Sequence, residues 1–98
     1  MHLHYLPEAK ADILAAMNYY IEQESGDKKI AAEFYQALKV AEQDILEFPN
    51  FWPIASPPYR RKVMQRFPYS IIFHQLDEAT IEIAAIAHHK RQPNYWLD

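Results

Sequence analysis

The first half of the chain places apolar side chains at helical spacing in two successive stretches. A short strand candidate, His2–Leu6, stops at Pro7, and proline suits the first turn of a helix because its missing N–H costs nothing there. The pattern predicts a helix from about Pro7 to Ser25. Its apolar stripe consists of Ala9, Ile13, Met17 and Tyr20.

A second helix is predicted directly after the first. Gly26 suits a left-handed C-cap and Asp27 a helix N-cap, and Pro49 ends the second stripe. That stripe consists of Ile30, Phe34, Leu38, Ala41, Ile45 and Phe48. Because the link between the two helices is so short, we expect an antiparallel helical hairpin.

The second half of the chain changes to strand-like patterns. Three prolines exclude Asn50–Pro58 from a central strand or a helix interior. The strand candidates that follow are Tyr59–Phe67, Tyr69–Leu76 and Thr80–His88, and their short connections predict an antiparallel meander. The order strand, helix, helix, strand, strand, strand predicts an α+β fold, in which the N-terminal strand joins a small, mainly antiparallel sheet and the helical hairpin packs on one face of that sheet.

Length and composition indicate one packed domain over residues 1–98. Half of the 98 residues are hydrophobic and 14% are aromatic, which is too much apolar surface for a disordered chain. The lack of cysteine excludes disulfides and thiolate zinc sites. No signal peptide is evident, and the longest apolar run, Ile83–Ala87, is far below the roughly 20 residues that a membrane helix needs. We therefore expect a cytoplasmic protein with no membrane contact.

The net charge of −3 is unevenly distributed. Residues 1–48 carry four Lys/Arg against nine Asp/Glu, a net charge of −5, whereas residues 49–98 carry six against four, a net charge of +2. The two halves therefore suit different partners. An acidic total also argues against strong non-specific binding of nucleic acid.

The candidate strand Tyr59–Phe67 is rich in cations. Side chains alternate between the faces of a strand, so Val63 and Phe67 share one face, which we expect to meet the helices. The other face then projects three cations from the uncovered side of the sheet: Arg60, Lys62 and Arg66. Such a row could hold phosphates or an acidic partner. The alternative is a solvated strand face that discourages edge pairing.

Two histidine pairs are candidates for chemistry near neutral pH. His2 and His4 share a face of the first strand, and His88 and His89 stand at the end of the last, where loops concentrate function. Neither pair has carboxylates at ligand spacing, so no metal site and no cofactor are predicted. The alternative for the second pair is a hydrogen-bonded strand terminus.

The first helix carries more apolar side chains than one stripe requires. Leu14, Tyr19 and Ile21 flank the stripe, so they either fill the margin of the core or form a patch for a partner helix. The single glycine excludes a Gly-rich phosphate loop, and neither a cysteine nucleophile nor a serine elbow is present. Most enzyme classes are therefore unsupported.

Several segments resemble one family. Residues 66–74 (RFPYSIIFH) and 81–96 (IEIAAIAHHKRQPNYW) resemble the C-terminal half of RelE/ParE-type toxins of type II toxin–antitoxin systems, often first described as plasmid stabilisation proteins. Residues 7–14 (PEAKADIL) and 34–49 look like that family's helical hairpin. The resemblance covers nearly the whole chain. It implies a helical hairpin on an antiparallel sheet and neutralisation by a cognate antitoxin, with a homodimer or a heterotetramer with that antitoxin as candidate assemblies.

The family contains two kinds of toxin, and the sequence indicates which of them this chain resembles more. RelE-like members cut mRNA on the ribosome, and ParE-like members poison DNA gyrase. RelE-like nucleases tend to open the middle strand with Tyr-Arg-Leu-Val-Tyr, whereas residues 69–73 here are YSIIF, so Ser70 replaces the arginine that assists cleavage. A neutral hydroxyl offers no positive charge to a developing phosphorane. The resemblance therefore favours a ParE-like toxin that binds DNA gyrase.

Two alternatives remain open. One is a ribosome-dependent mRNA endoribonuclease, whose candidate catalytic residues are His88, His89, Arg66 and Arg91. The other is a degenerate, non-toxic interaction module. For a binding toxin, the candidate residues that contact the target or the antitoxin are Arg60, Lys62, Arg66, Arg91, Tyr95, Trp96, Leu14, Tyr19 and Ile21.

Overall fold

A computed structural model describes residues 1–23 and 28–97. Its elements are β1 (His2–Tyr5), α1 (Pro7–Gln23), α2 (Lys29–Glu47), β2 (Ile54–Ser56), β3 (Tyr59–Val63), β4 (Tyr69–Asp77), β5 (Thr80–His88) and a 3-10 turn (Tyr95–Leu97). This α+β order confirms the predicted fold class. The predicted C-cap at Gly26 lies outside the described residues. So does Asp27, and the N-cap position of α2 is Lys28, which makes no side-chain capping bond.

The five strands form one sheet in the order β1-β5-β4-β3-β2. Strands β2 to β5 are antiparallel neighbours, which confirms the meander, and β1 pairs in parallel with β5 at one edge. The sequence did not predict β2. This three-residue strand lies at the other edge of the sheet. Prolines can flank an edge strand because its outer side has no neighbouring strand to which an N–H would be donated.

The two helices bury one face of the sheet. Phe34 of α2 is fully buried, and its ring centroid lies 5.4 Å from that of Phe67 and 5.2 Å from that of Tyr69. Tyr20 of α1 packs against the same three rings. Edge-to-face pairs of this kind add to the stability that burial alone gives. This aromatic cluster joins both helices to the start of β4.

The second face of the sheet is also covered, contrary to the prediction of an uncovered side. Ile72 is buried there with three alanines, Ala84, Ala85 and Ala87. A bulge in β5 brings the consecutive residues Ala84 and Ala85 into this cluster, since Ile72 pairs with Ala85 and the next residue pairs with Ile83. Leu6, Tyr59, Tyr95 and Trp96 pack over the cluster. The C-terminal tail therefore closes a second, smaller core.

The predicted orientation of β3 is wrong. Val63, expected to meet the helices, is 52% exposed, whereas Lys62 and Met64 are buried. Phe67 does join the core on the helix side. The alternation breaks because β3 ends at Val63 and the chain then turns through Arg66, whose φ of 73° is left-handed.

Candidate functional site

Each of the three cations predicted to form one free face contacts a group of its own chain. The pairs are Arg60 Nη1 with the backbone oxygen of Trp52 (2.8 Å), Lys62 Nζ with Asp44 Oδ2 (3.9 Å) and Arg66 Nη1 with Glu33 Oε2 (2.8 Å). Lys62 also lies 4.3 Å from the centroid of the Trp52 ring. The structure therefore does not form the predicted cationic strand face.

Arg61 differs from the other arginines. Across residues 1–23 and 28–97, its guanidinium is the one arginine head group with no side-chain hydrogen bond, ion pair or ring contact. It pairs across the sheet with Ile72, on the face that the C-terminal tail covers. Alternation puts Arg61 on the same face of β3 as Val63, which was expected to meet the helices, so the reversed orientation of β3 turns Arg61 to the opposite side of the sheet.

Arg61 borders a cavity of about 200 Å³ between the ends of the strands and the C-terminal tail. We name this cavity the tail pocket and define it by Arg61, Ser70, His89, Arg91, Tyr95 and Trp96. Ser70 comes from the start of β4, and the last four residues follow β5. Three separate segments of the chain therefore meet at one opening.

The polar centre of the tail pocket is a serine–histidine pair. Ser70 is 3% exposed, and its Oγ lies 3.0 Å from His89 Nε2. Either atom can donate, according to which ring nitrogen of His89 carries the proton. Ser70 thus faces into a site, as its position in the middle strand suggested, but it offers a hydroxyl and no charge.

The neighbouring histidine has a different environment. The ring of His88 packs edge-on against Tyr69, with the centroids 5.0 Å apart, and its Nδ1 accepts the N–H of Lys90 at 3.0 Å. Burial lowers the pKa of His88, and the neighbouring His89 and Lys90 side chains lower it further. These effects favour the neutral form of His88, and its ring accepts a hydrogen bond at the end of β5.

Asp12 fastens the tail, and sequence reasoning missed it. Its Oδ2 accepts the N–H of Ile86 at 3.0 Å and the hydroxyl of Tyr95 at 2.9 Å, and its Oδ1 lies 3.4 Å from Arg91 Nη1. The Arg91 guanidinium also stacks 3.7 Å from the Tyr95 ring centroid. Burial raises the pKa of Tyr95, as does its bond to Asp12. The sequence did contain an indication of this role. Asp12 lies three residues after Ala9, a member of the predicted apolar stripe, and therefore on the core side of α1.

The apolar residues on the flank of α1 remain at the surface. Leu14 is 63% exposed and Tyr19 is 52% exposed, while Ile21 is half-buried. The structure therefore leaves them available to a partner but does not join them to the tail pocket.

A second exposed apolar region follows α2. Phe48, predicted as part of the core stripe, is 57% exposed because it lies just beyond the end of the helix, and Phe51 is 73% exposed. Both border a groove of about 490 Å³. We name it the α2 groove, and its lining residues are Asp44, Phe48, Phe51, Trp52, Lys62 and Gln65.

Comparison with known proteins identifies the family. Residues 3–93 match the model of the ParE toxin of the type II toxin–antitoxin system parDE. The chain belongs to the ParE toxin family. The fold is also similar to a solved structure of a chromosomal ParDE TA system from P. aeruginosa, at 23% identity and a TM-score of 0.75, over 90% of this chain and 95% of that chain. No curated protein sequence gave a significant match.

The described residues of this ParE family member contain neither a membrane-spanning helix nor a cluster of metal ligands. No helix within residues 1–23 and 28–97 has the length and apolar content to cross a membrane. Within the same ranges, no three His, Asp or Glu side chains are grouped as metal ligands.

Proposed function

We propose that this ParE family toxin stops growth by binding and poisoning DNA gyrase, and that a cognate antitoxin neutralises it. The observation that carries the proposal is Ser70. It occupies the position in the middle strand where RelE-like nucleases tend to have a catalytic arginine, and its hydroxyl pairs with His89. Arg60 and Arg66 contact other groups of the chain, and the two arginines that border the tail pocket, Arg61 and Arg91, come from β3 and the C-terminal tail and not from the middle strand. A toxin that acts by binding needs no such charge.

The target surface that we propose is the rim of the tail pocket. Tyr95 and Trp96 were expected as contact residues, but both are partly buried over the sheet and mainly support the tail. Arg61 and Arg91 are exposed at the rim. Arginine is a frequent energetic anchor at protein interfaces.

For the antitoxin, we propose the α2 groove together with the exposed flank of α1. Exposed aromatic residues such as Phe48 and Phe51 favour an apolar partner segment over solvent. Antitoxin segments that fold on binding can cover large surfaces of this kind. The homodimer and the heterotetramer with antitoxin stay predictions.

The experiment that tests the proposal compares two targets in vitro. Purified toxin is added to DNA gyrase with plasmid DNA, and separately to ribosomes translating a defined mRNA. We expect inhibited supercoiling or trapped cleaved DNA, with intact mRNA. Ribosome-dependent mRNA cleavage with normal gyrase activity would contradict the proposal.

The tail pocket also supports a second candidate function, an mRNA endoribonuclease. His89 could transfer a proton and Arg61 or Arg91 could stabilise a phosphorane, since in-line attack by a 2′-hydroxyl needs only a base, an acid and cations. Replacing His88 and His89 with Gln removes titration near neutral pH while keeping hydrogen bonding. We expect a binding toxin to retain its activity and a nuclease to lose roughly a hundredfold.

The matched control for this variant is the replacement of His2 and His4 with Gln. Both are exposed on β1 and do not border the tail pocket. Equal growth arrest by both double variants favours gyrase binding. Loss of arrest and of mRNA cleavage only in the His88/His89 variant would establish the nuclease. Absence of toxicity in every host would favour the degenerate interaction module.

A further inference from the structure

The tail pocket gathers hydrogen-bond donors from three segments of the chain. Arg61 lies on β3 and Ser70 on β4, diagonally related on the same face because Val63 is the partner of Ser70. His89 follows β5 and contacts the Ser70 hydroxyl at 3.0 Å. Because Ser70 and His89 share one hydrogen bond, a ligand at this opening meets the Arg61 guanidinium and, from another direction, the one donor of the Ser70–His89 pair that is not used in that bond.

The unpaired guanidinium of Arg61 is the feature that most strongly indicates an anion site. The other three arginines bond to groups of their own chain, whereas the Arg61 guanidinium has no side-chain hydrogen bond, ion pair or ring contact with residues 1–23 or 28–97. An exposed arginine that faces a cavity without a carboxylate partner is available to an anion. No Asp or Glu of the described residues lines the tail pocket, and Asp12, the carboxylate that contacts the C-terminal tail, is bonded to Ile86 and Tyr95.

Trp96, which borders the tail pocket, carries a buried donor without a partner among the described residues. The indole Nε1 of Trp96 is buried and has no hydrogen-bond partner in the described part of the chain. Trp96 borders the tail pocket together with Ala87, Pro93 and Tyr95, which give one side of it an apolar lining. The pocket therefore has a cationic, hydrogen-bonding side and an apolar side that could contact the carbon skeleton of a ligand.

We infer that the tail pocket binds the phosphate group of an organic phosphate ester. Donors that converge from several directions suit a tetrahedral anion with three or four oxygens better than a planar carboxylate with two. The apolar side favours an ester over free phosphate, and a volume of about 200 Å³ accommodates one phosphate group with its attached sugar carbon. This inference concerns the toxin alone and stands whether or not gyrase is the target.

Nuclear magnetic resonance of the isotopically labelled toxin tests the inference. Thymidine 5′-monophosphate is titrated while the ring N–H signals of His89 and Trp96 are followed, with thymidine and acetate as control ligands. We expect saturable shifts with the monophosphate and none with thymidine. Acetate should bind at least about tenfold more weakly, since it lacks the additional oxygens.

Two variants distinguish binding at the tail pocket from a non-specific effect of positive charge. Arg61→Gln should weaken binding by about tenfold or more, the scale of one lost hydrogen bond to a charged group. Arg60→Gln removes the same charge from the adjacent residue, which contacts the Trp52 carbonyl, and should change the affinity less than about twofold. Thermal unfolding of both variants checks that each is folded.

A dinucleotide with a single phosphodiester distinguishes two sources of the ligand. Binding as tight as that of the monophosphate supports a nucleic-acid backbone, and much weaker binding supports a free nucleotide. Equal weakening by Arg61→Gln and Arg60→Gln would overturn the inference, as would shifts produced by thymidine alone or the absence of any saturable shift.

Discussion

Glu42 is a carboxylate that α2 carries into the protein interior. It is 4% exposed, and its Oε2 has no hydrogen-bond partner among the described residues. Its Oε1 lies 3.3 Å from Lys39 Nζ, but the Lys39 side chain is 44% exposed and water screens that charge. Burial therefore dominates and raises the pKa of Glu42 to about 7.

This raised pKa predicts that stability falls as the pH rises. Between about pH 4.5 and 7 the folded chain keeps a proton on Glu42 that the unfolded chain has lost, so the free energy of unfolding decreases across that window and then levels off. Glu42→Gln keeps the neutral form at every pH. We expect the variant to be more stable than the parent at pH 8, by roughly 1–3 kcal/mol, and similar at pH 4.5.

Urea unfolding at both pH values measures the effect. The control is Glu47→Gln, an exposed carboxylate on the same helix, which should change stability little at either pH. If Glu42→Gln destabilises the chain equally at pH 4.5 and pH 8, the ion pair with Lys39 outweighs burial and the assigned cause is incorrect.

At the level of elements, one side chain holds three of them together. Asp12 of α1 bonds the backbone of β5 at Ile86 and the 3-10 turn at Tyr95. Its side chain is 12% exposed, so these bonds are shielded from water. The C-terminal tail, which packs on the second core through Tyr95 and Trp96, is thus hydrogen-bonded to α1 through Asp12.

Asp12→Ala should therefore loosen the tail more than it disturbs the sheet. Because it leaves the Ile86 N–H and the Tyr95 hydroxyl without their acceptor, we expect a loss of about 2–4 kcal/mol in the free energy of unfolding. Amide hydrogen exchange should accelerate most in Tyr95–Leu97. The exposed Glu22→Ala on the same helix is the control. Uniform acceleration across β4 and β5 would show that Asp12 supports the whole fold.

The α2 groove leads to a prediction about the antitoxin. If the antitoxin covers this groove, Phe51→Ser should weaken its binding by roughly tenfold to a hundredfold, because buried aromatic residues are frequent energetic anchors. Leu76→Ser is the matched control, since Leu76 is 51% exposed near the end of β4 and does not border the groove. Calorimetry with the product of the neighbouring small gene measures both affinities. Equal affinities would place the antitoxin elsewhere.

At the scale of the whole molecule, family membership predicts conditional toxicity. Inducing this chain alone should arrest bacterial growth within a few generations, and co-expressing the neighbouring small gene should restore it. The growth curve of a strain carrying an early stop codon in the toxin gene provides the control. Normal growth at high levels of folded toxin in several hosts would contradict both the gyrase and the ribosome hypotheses.

The sequence by itself determined the order and type of most elements. Helical periodicity located α1 and α2, and the prediction for the last strand, Thr80–His88, has the same bounds as β5. Short links forced β3, β4 and β5 into an antiparallel meander, because so few residues cannot cross over to a parallel strand. These features depend on neighbours along the chain, so periodicity and turn chemistry encode them locally.

Only the tertiary structure decided which faces meet and which side chains converge. Period-two alternation separates Arg61 from Lys62 but does not say which set faces the helices, and both sets on β3 mix cations with apolar residues. The register with β4 and the break at Arg66 settled that choice and brought Arg61 to the tail pocket. Asp12 and Tyr95 are 83 positions apart in the sequence. Contacts over such distances arise from packing, because no local pattern records them.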